Sequence, residues 1–131
     1  MVGMADADMG FPSPAADFAE PTLSLDAMFI KRPHATYFMR AGQMHWRAGI
    51  MKDALLVVDS SLPALDGSIV VCALAGDYQV RRMRLYPSPH LEHLDTFEKA
   101  TLADDDDQIF GVVAYIVNDA RSQEFDDLPV I

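Results

Sequence analysis

The sequence predicts a compact, mainly β domain whose strands are mostly antiparallel and which contains little helix. Three observations predict this fold class. Short apolar runs rich in β-branched and aromatic residues recur along the chain, and turn-forming residues separate them at close spacing. The length of 131 residues, half of them hydrophobic, suits one domain with a substantial core.

The chain divides into three parts by composition. Residues 1–14 are rich in methionine, glycine and proline without a sustained period, which predicts a flexible N-terminal arm. Residues 15–117 form the predicted β domain, within which residues 23–31 leave a helical turn and a short strand equally open. Residues 118–131 are acidic and are expected to form a loose C-terminal tail.

Five runs within the domain predict strands. The runs at 54–59 and 68–74 are apolar throughout, as in strands covered on both faces. A break in alternation at Arg81 and Arg82 predicts a bulge or a twist in the fourth run. Residues 90–108 are polar and leave their structure open. The predicted strands, of which the last is the strongest, are residues 35–40, 54–59, 68–74, 78–85 and 109–117.

Charge and composition exclude several classes of protein. The chain has 10 Lys and Arg against 20 Asp and Glu, a net charge of −10, so direct DNA binding through a basic face is not expected. Cys72 is the single cysteine, so no internal disulfide is predicted. No run is long enough to span a membrane, and no signal peptide is evident. We therefore expect a cytoplasmic protein that contacts no membrane and carries no cofactor.

The opening of the chain carries a resemblance. Residues 10–17 read Gly-Phe-Pro-Ser-Pro-Ala-Ala-Asp and resemble the start of a processed UmuD-like protein. Further similar blocks follow in the same order at residues 35–38, 55–59 and 110–113. The chain thus resembles the LexA/UmuD self-cleaving (S24-type) peptidase family over most of residues 10–117. The similarity is weakest between residues 87 and 108.

The resemblance implies a specific biology. Members of this family fold as a β-rich domain with a Ser–Lys dyad, and they cut their own N-terminal arm when the RecA filament on single-stranded DNA stimulates them. The trimmed UmuD dimer then joins UmuC, a Y-family polymerase, in error-prone synthesis during the SOS response. The resemblance therefore implies a homodimer, a UmuC-like DNA polymerase as partner, and contact with RecA or with a host UmuD or LexA-type protein.

The sequence departs from the family pattern where the chemistry takes place. Aligned back from Gly49, Met44 stands at the family's serine, and a thioether has no proton to lose. Arg81 stands at the lysine base, and arginine stays protonated in proteins. The family's cleavage site corresponds to Met9 and Gly10, with only eight residues before it. The resemblance thus implies a degenerate, protease-dead chain that is encoded already trimmed.

Other residues with chemical potential have simpler interpretations. Ser60 and Ser61 read as turn hydroxyls rather than a substitute nucleophile. The residues with loosely metal-like spacing fit a solvated loop better than a metal site, and we predict no metal: His90, Glu92 and His93. The same holds for the acidic run of residues 104–107.

Three further features are a histidine–tryptophan pair, the cysteine and a cluster of arginines. His45 and Trp46 leave two readings open, a pair that fills the former cleft and an ordinary surface pair. Cys72 is expected to be a small buried hydrophobe. The cluster of Arg81, Arg82 and Arg84 is expected to pair with acidic loops rather than with phosphate.

The last strand predicts self-association. A terminal apolar strand with an open edge would pair indiscriminately unless it were covered, and a two-fold contact covers it. In the resembled family this region pairs across a dimer axis. We therefore predict a homodimer through the following residues or their neighbours: Phe110, Val112, Ala114 and Ile116.

Three functional hypotheses result. The first is a non-catalytic UmuD-like accessory subunit for a Y-family translesion polymerase in SOS mutagenesis. The second is a regulatory decoy that forms mixed dimers with a host UmuD or LexA-type protein. The third keeps an enzyme, with hydrolysis relocated to Ser60 or His45.

Overall fold

The computed structural model describes residues 24–102, 108–121 and 128–131. The chain forms two compact units, Met1–Lys31 and Arg32–Ile131. In the first unit, helix α1 spans Leu25–Phe29 and begins at Ser24, whose hydroxyl accepts a hydrogen bond from the Ala27 N–H at 3.3 Å. Of the two structures that the sequence left open for residues 23–31, a helical turn is therefore the one that forms. The predicted arm of residues 1–14 lies outside the described residues.

The second unit contains one sheet of seven strands. Its order is β1-β2-β7-β3-β4-β5-β6, and every neighbouring pair is antiparallel. The predicted fold class, a mainly antiparallel β domain with little helix, is confirmed. The strands are β1 Thr36–Arg40, β2 Leu55–Asp59, β3 Ile69–Leu74, β4 Asp77–Arg84, β5 His90–Glu92, β6 Lys99–Thr101 and β7 Ile109–Val117. Single 3-10 turns occupy Pro33–Ala35 and Trp46–Ala48.

Strand β7 lies inside the sheet, between β2 and β3. The prediction that the last strand has an open edge is therefore wrong for residues 109–112, which pair with β3, whereas residues 113–117 pair only with β2. Its long apolar run has a different cause. An interior strand covered on both faces needs apolar residues at nearly every position.

The bulge predicted at Arg81 and Arg82 is also wrong. The β3–β4 register runs without a shift from Ile69 opposite Arg82 to Leu74 opposite Asp77. The alternation appears broken because Val80 packs into one core and Met83 into another, and residues three apart in a strand face opposite sides.

The bulges lie in β7 instead. The β2–β7 register shifts between Val57 and Val58 and skips Ala114. The β3–β7 register shifts between Val71 and Cys72 and skips Phe110. Two extra residues in one strand change which of its side chains face each side of the sheet.

Two cores cover the two faces of the sheet. Along β3, Val70 and Cys72 pack into the second core and Val71 into the first. The first core also takes Ile50 and Leu94 from loops, and both are fully buried. These two anchors hold the loop after β1 and the loop after β5 against the same sheet face.

The end of the chain lies beside β1. The Arg40 N–H donates to the Pro129 carbonyl at 2.7 Å, and the Ile131 N–H donates to the Arg40 carbonyl at 2.9 Å. The Gly42 N–H donates to the Ile131 carbonyl, and a Cβ at Gly42 would lie 3.0 Å from that oxygen. The tail expected to be loose thus has its last residues hydrogen-bonded to the domain. Among the described residues, no helix is long and apolar enough to cross a membrane.

Candidate functional site

A cleft of about 440 Å³ lies in the second unit, where the loop after β1 meets the start of β4 and the loop after β5. The C-terminal residues form part of its wall. Polar groups dominate the remaining lining, which makes the cleft suited to hydrogen bonding. The lining residues are Gly42, Gln43, His45, Gln79, Val80, Arg81, His93, Val130 and Ile131.

Arg81 contributes the cationic group of this cleft. Its Nη1 donates to the Val80 carbonyl at 2.8 Å, and its Nη2 donates to Gln79 Oε1 at 2.6 Å. These two bonds fix the guanidinium against its own strand. A guanidinium so held can donate hydrogen bonds to a guest, but it cannot accept a proton.

Met44 lies at the rim rather than in the lining. Its neighbours Gln43 and His45 line the cleft, whereas about half of the Met44 side chain (51%) is exposed to solvent. The structure therefore brings Arg81 into the cleft and leaves Met44 beside it. A thioether offers no proton and only a weak acceptor.

His45 and Trp46 separate, although they are adjacent in the sequence. His45 is buried in the cleft wall, and its Nδ1 lies 2.8 Å from Asp95 Oδ2. Trp46 points to solvent with 64% of its surface exposed. One member of the pair thus fills the cleft wall and the other is a surface residue.

No sequence pattern indicated Asp95, and the sequence placed His93 in a solvated loop rather than in a cleft. Asp95 lies fifty residues from His45, in a polar segment with no local signal. His93 Nδ1 accepts hydrogen bonds from the Asp95 and Thr96 N–H groups at 3.1 and 3.2 Å. The imidazole rings of His45 and His93 are 6.0 Å apart.

No serine, threonine, tyrosine or cysteine is found among the described residues that line the cleft. Ser60 and Ser61 follow β2, where Ser60 Oγ donates to the Ala35 carbonyl at 3.2 Å and Ser61 Oγ donates to Asp59 Oδ1 at 2.6 Å. The hydrogen bonds from Ser61, together with that from Arg32, hold the pKa of Asp59 below its ordinary value although burial opposes this. These serines act as turn hydroxyls.

The residues with metal-like spacing have other partners. His90 Nδ1 lies 2.7 Å from the Ser88 carbonyl, and Glu92 accepts from Arg84 Nε at 3.2 Å. Within residues 24–102, 108–121 and 128–131, no three His, Cys, Asp or Glu side chains form a group able to hold a metal ion. The acidic run of residues 104–107 lies outside the described residues, as do Met9 and Gly10.

The arginines of β4 behave differently from one another. Arg84 forms ion pairs with Glu92 and Asp66, as expected for this cluster. Arg82 instead donates to the Gly67 carbonyl at 2.8 Å. Each of the three guanidinium groups thus has a hydrogen-bond partner within the domain.

Cys72 is fully buried in the second core. Its Sγ donates to the Gln79 carbonyl at 3.4 Å, and burial raises the thiol pKa to about 11, although Arg81 opposes this slightly. Cys72 is therefore a buried apolar residue, as expected, and it does not reach the cleft.

The residues proposed for self-association occupy both faces of β7. Phe110 and Ile116 pack against the first core, and Val112 packs into the second. The bulges at Phe110 and Ala114 cause this distribution. On the second face, an apolar strip remains partly exposed, made of Phe38, Tyr115 and Val117.

Comparison with known proteins identifies the family. The family model described as Peptidase S24-like matches residues 2–114. The chain belongs to the S24-like peptidase family. The family resemblance predicted from the opening residues and the ordered blocks is therefore confirmed.

Curated relatives give the same assignment. The chain is 42% identical to "Protein ImpA" of Escherichia coli over 114 residues, which cover 86% of this chain and 79% of that protein. It is 39% identical to "Protein SamA" of Salmonella typhimurium over 116 residues, covering 88% and 82%. It is 36% identical to "Protein MucA" of Escherichia coli over 110 residues, covering 81% and 75%.

Proposed function

We propose that this S24-like chain is a non-catalytic, UmuD-like accessory subunit of a Y-family translesion polymerase in SOS mutagenesis. The cleft chemistry supports the proposal. Arg81 occupies the position that the family resemblance gives to the lysine base, and its guanidinium is held by Val80 and Gln79. A group that stays protonated cannot activate a nucleophile.

The nucleophile side of the cleft supports the same conclusion. Met44 occupies the serine position, and the described lining offers no other hydroxyl or thiol. In serine hydrolases, loss of the nucleophile alone lowers the rate by about 10⁶. The third hypothesis, relocated hydrolysis, loses support because Ser60 lies outside the cleft and His45 has no hydroxyl partner there.

The proposed subunit is a homodimer. Because β7 lies between β2 and β3 in the sheet, the proposal has two copies meet through a face of the sheet. The strip of Phe38, Tyr115 and Val117 offers apolar surface for such a contact.

Light scattering should give twice the chain mass of 14.5 kDa at micromolar concentration. Tyr115→Glu should give monomers and the exposed control Leu65→Glu dimers, whereas a monomeric unaltered chain contradicts the dimer.

The charge of the chain favours a protein partner over DNA. Acidic surfaces repel phosphate and are complementary to basic protein patches. The proposal therefore places the dimer on a UmuC-like polymerase in the cytoplasm rather than on the template strand.

Co-purification tests the proposed partner. The full chain, co-expressed with the UmuC-like polymerase encoded by the same source, should elute with it through affinity and size-exclusion columns. A well-folded dimer that does not associate with the polymerase contradicts the proposal. Mixing with an active UmuD or LexA-type protein tests the decoy hypothesis in parallel, because only a decoy exchanges subunits and blocks that protein's cleavage.

A further inference from the structure

An exposed cation lies between two exposed aromatic rings beside the cleft. The guanidinium carbon of Arg47 is 4.5 Å from the centroid of the Trp46 ring and 5.0 Å from that of Phe97. Trp46 is 64% exposed and Phe97 is 49% exposed. We call Trp46, Arg47 and Phe97 the aromatic–arginine platform. The two loops that carry it also border the cleft, but none of its three residues lines the cleft.

The loop that carries Trp46 and Arg47 is held rigidly. Its 3-10 turn ends at Gly49, which has a φ of 75° and donates its N–H to the Trp46 carbonyl at 3.2 Å. His45 and Ile50 exchange two backbone hydrogen bonds of 2.7 and 3.1 Å around this turn. Asn118 adds bonds of 2.9 Å to the Gly49 carbonyl and the Met51 N–H.

The loop that carries Phe97 is fixed to the first loop. Phe97 has a φ of 63°, an uncommon conformation for a side chain of this size, and its N–H donates to the His93 carbonyl at 3.1 Å. The side-chain bond between His45 and Asp95 then joins the two loops. A surface held in this way loses little conformational entropy when it binds a partner.

The chemistry of the platform fits a carboxylate next to an apolar group. Arg47 is exposed and forms no hydrogen bond or ion pair with the part of the chain that the structure describes, so its N–H groups remain available for a bidentate contact with a carboxylate. Exposed Trp and Arg side chains of this kind are typical of the residues that dominate binding at interfaces. We propose that the platform docks an acidic peptide segment of a partner protein, with a carboxylate on Arg47 and an apolar side chain against Trp46 or Phe97.

Other occupants fit less well. A second copy related by a two-fold axis through the platform would bring Arg47 against its own equivalent, and like charges repel. A single-stranded nucleic acid would find a stacking surface, but the net charge of −10 opposes its many phosphates. A peptide with a few carboxylates carries less charge and adds an apolar side chain.

Trp46 is the only tryptophan, so its fluorescence reports on the platform directly. The probe is the synthetic peptide acetyl-Glu-Leu-Asp-Leu-Glu-amide, and its control replaces each acid by the matching amide. We expect the acidic peptide to change the fluorescence saturably. Arg47→Gln should weaken its affinity about tenfold, since a charge-assisted pair is lost. Arg47→Lys should also weaken the affinity, because an ammonium group cannot form the bidentate pair of hydrogen bonds that a guanidinium makes with a carboxylate.

Lys31→Gln is the charge-matched control, because Lys31 is exposed and lies elsewhere in the sequence. It should leave the affinity unchanged, and circular dichroism should show that all variants are folded. Three results overturn the proposal: no saturable change, equal affinity for the amide peptide, or equal affinity of Arg47→Gln. Tighter saturation by oligothymidylate would assign the platform to nucleic acid instead. The result does not depend on the polymerase, so this test and the co-purification fail independently.

Discussion

His45 Nδ1 and Asp95 Oδ2 lie 2.8 Å apart, and this contact joins two loops that are fifty residues apart in the sequence. His45 is buried, and the other oxygen of Asp95 is buried as well. The contact lies between the cleft and the aromatic–arginine platform. It therefore couples the two surfaces on which the proposals rest.

Removal of this contact should destabilise the fold. Asp95→Ala leaves the His45 Nδ1 buried without its partner, and an unsatisfied buried polar group costs about 1–3 kcal/mol. Urea denaturation should show a free energy of unfolding lowered by that amount. The control Glu98→Ala, at an exposed position of the same loop, should have little effect. Equal stability of the two variants would contradict a structural role for the contact.

The sequence predicted five of the seven described strands and missed β5 and β6. β3 and β7 are apolar runs because both strands contribute residues to both cores, and β2 is an apolar run that is almost fully buried. β5 and β6 have three residues each and alternate polar with apolar residues, so no pattern stood out. The interior position of β7 depends on long-range pairing, which no local signal reveals.

The site was predictable only where a local motif marked it. Arg81 could be located from the strand that precedes it and from the family resemblance. Asp95 and Ile131 reach the cleft region through tertiary packing, and no local pattern marks either of them. His93 was noted only for its spacing from His90 and Glu92, which did not indicate a cleft. The exposure of Trp46 and the burial of its neighbour His45 likewise depend on a 3-10 turn that the sequence did not indicate.

The ionisation of Asp59 should make the free energy of unfolding depend on pH in the acidic range. Hydrogen bonds from Ser61 and Arg32 hold its pKa below the ordinary value, so the folded chain binds this proton less readily than the unfolded chain. The carboxylate therefore contributes stability above the unfolded pKa of about 3.9, and the contribution is lost as pH falls through the lower folded pKa. Urea denaturation measures the decrease in the free energy of unfolding between about pH 7 and pH 3. This decrease should be smaller for Asp59→Asn than for the exposed control Asp77→Asn. Identical profiles would contradict this assignment.

Cys72 should be unreactive in the folded chain. Its thiol is fully buried and burial raises its pKa to about 11, so the thiolate is scarce at neutral pH. A thiol reagent such as Ellman's should react only at the rate of unfolding, and fully in denaturant. Because the unfolded thiol ionises first, stability should fall as pH rises above the ordinary value of 9.0 towards 11. Rapid labelling of the native chain would contradict the buried position.

The self-cleavage reaction tests the central claim, the loss of bond-breaking chemistry in an S24-like domain, most directly. The full chain is incubated with the RecA filament on single-stranded DNA and, separately, at alkaline pH. An active UmuD-like protein is the positive control. The mass of each protein is measured after the incubation. The account predicts that the chain keeps its full mass while the control is cut. Cleavage between Met9 and Gly10 that is abolished by His45→Ala or by Ser60→Ala would contradict it.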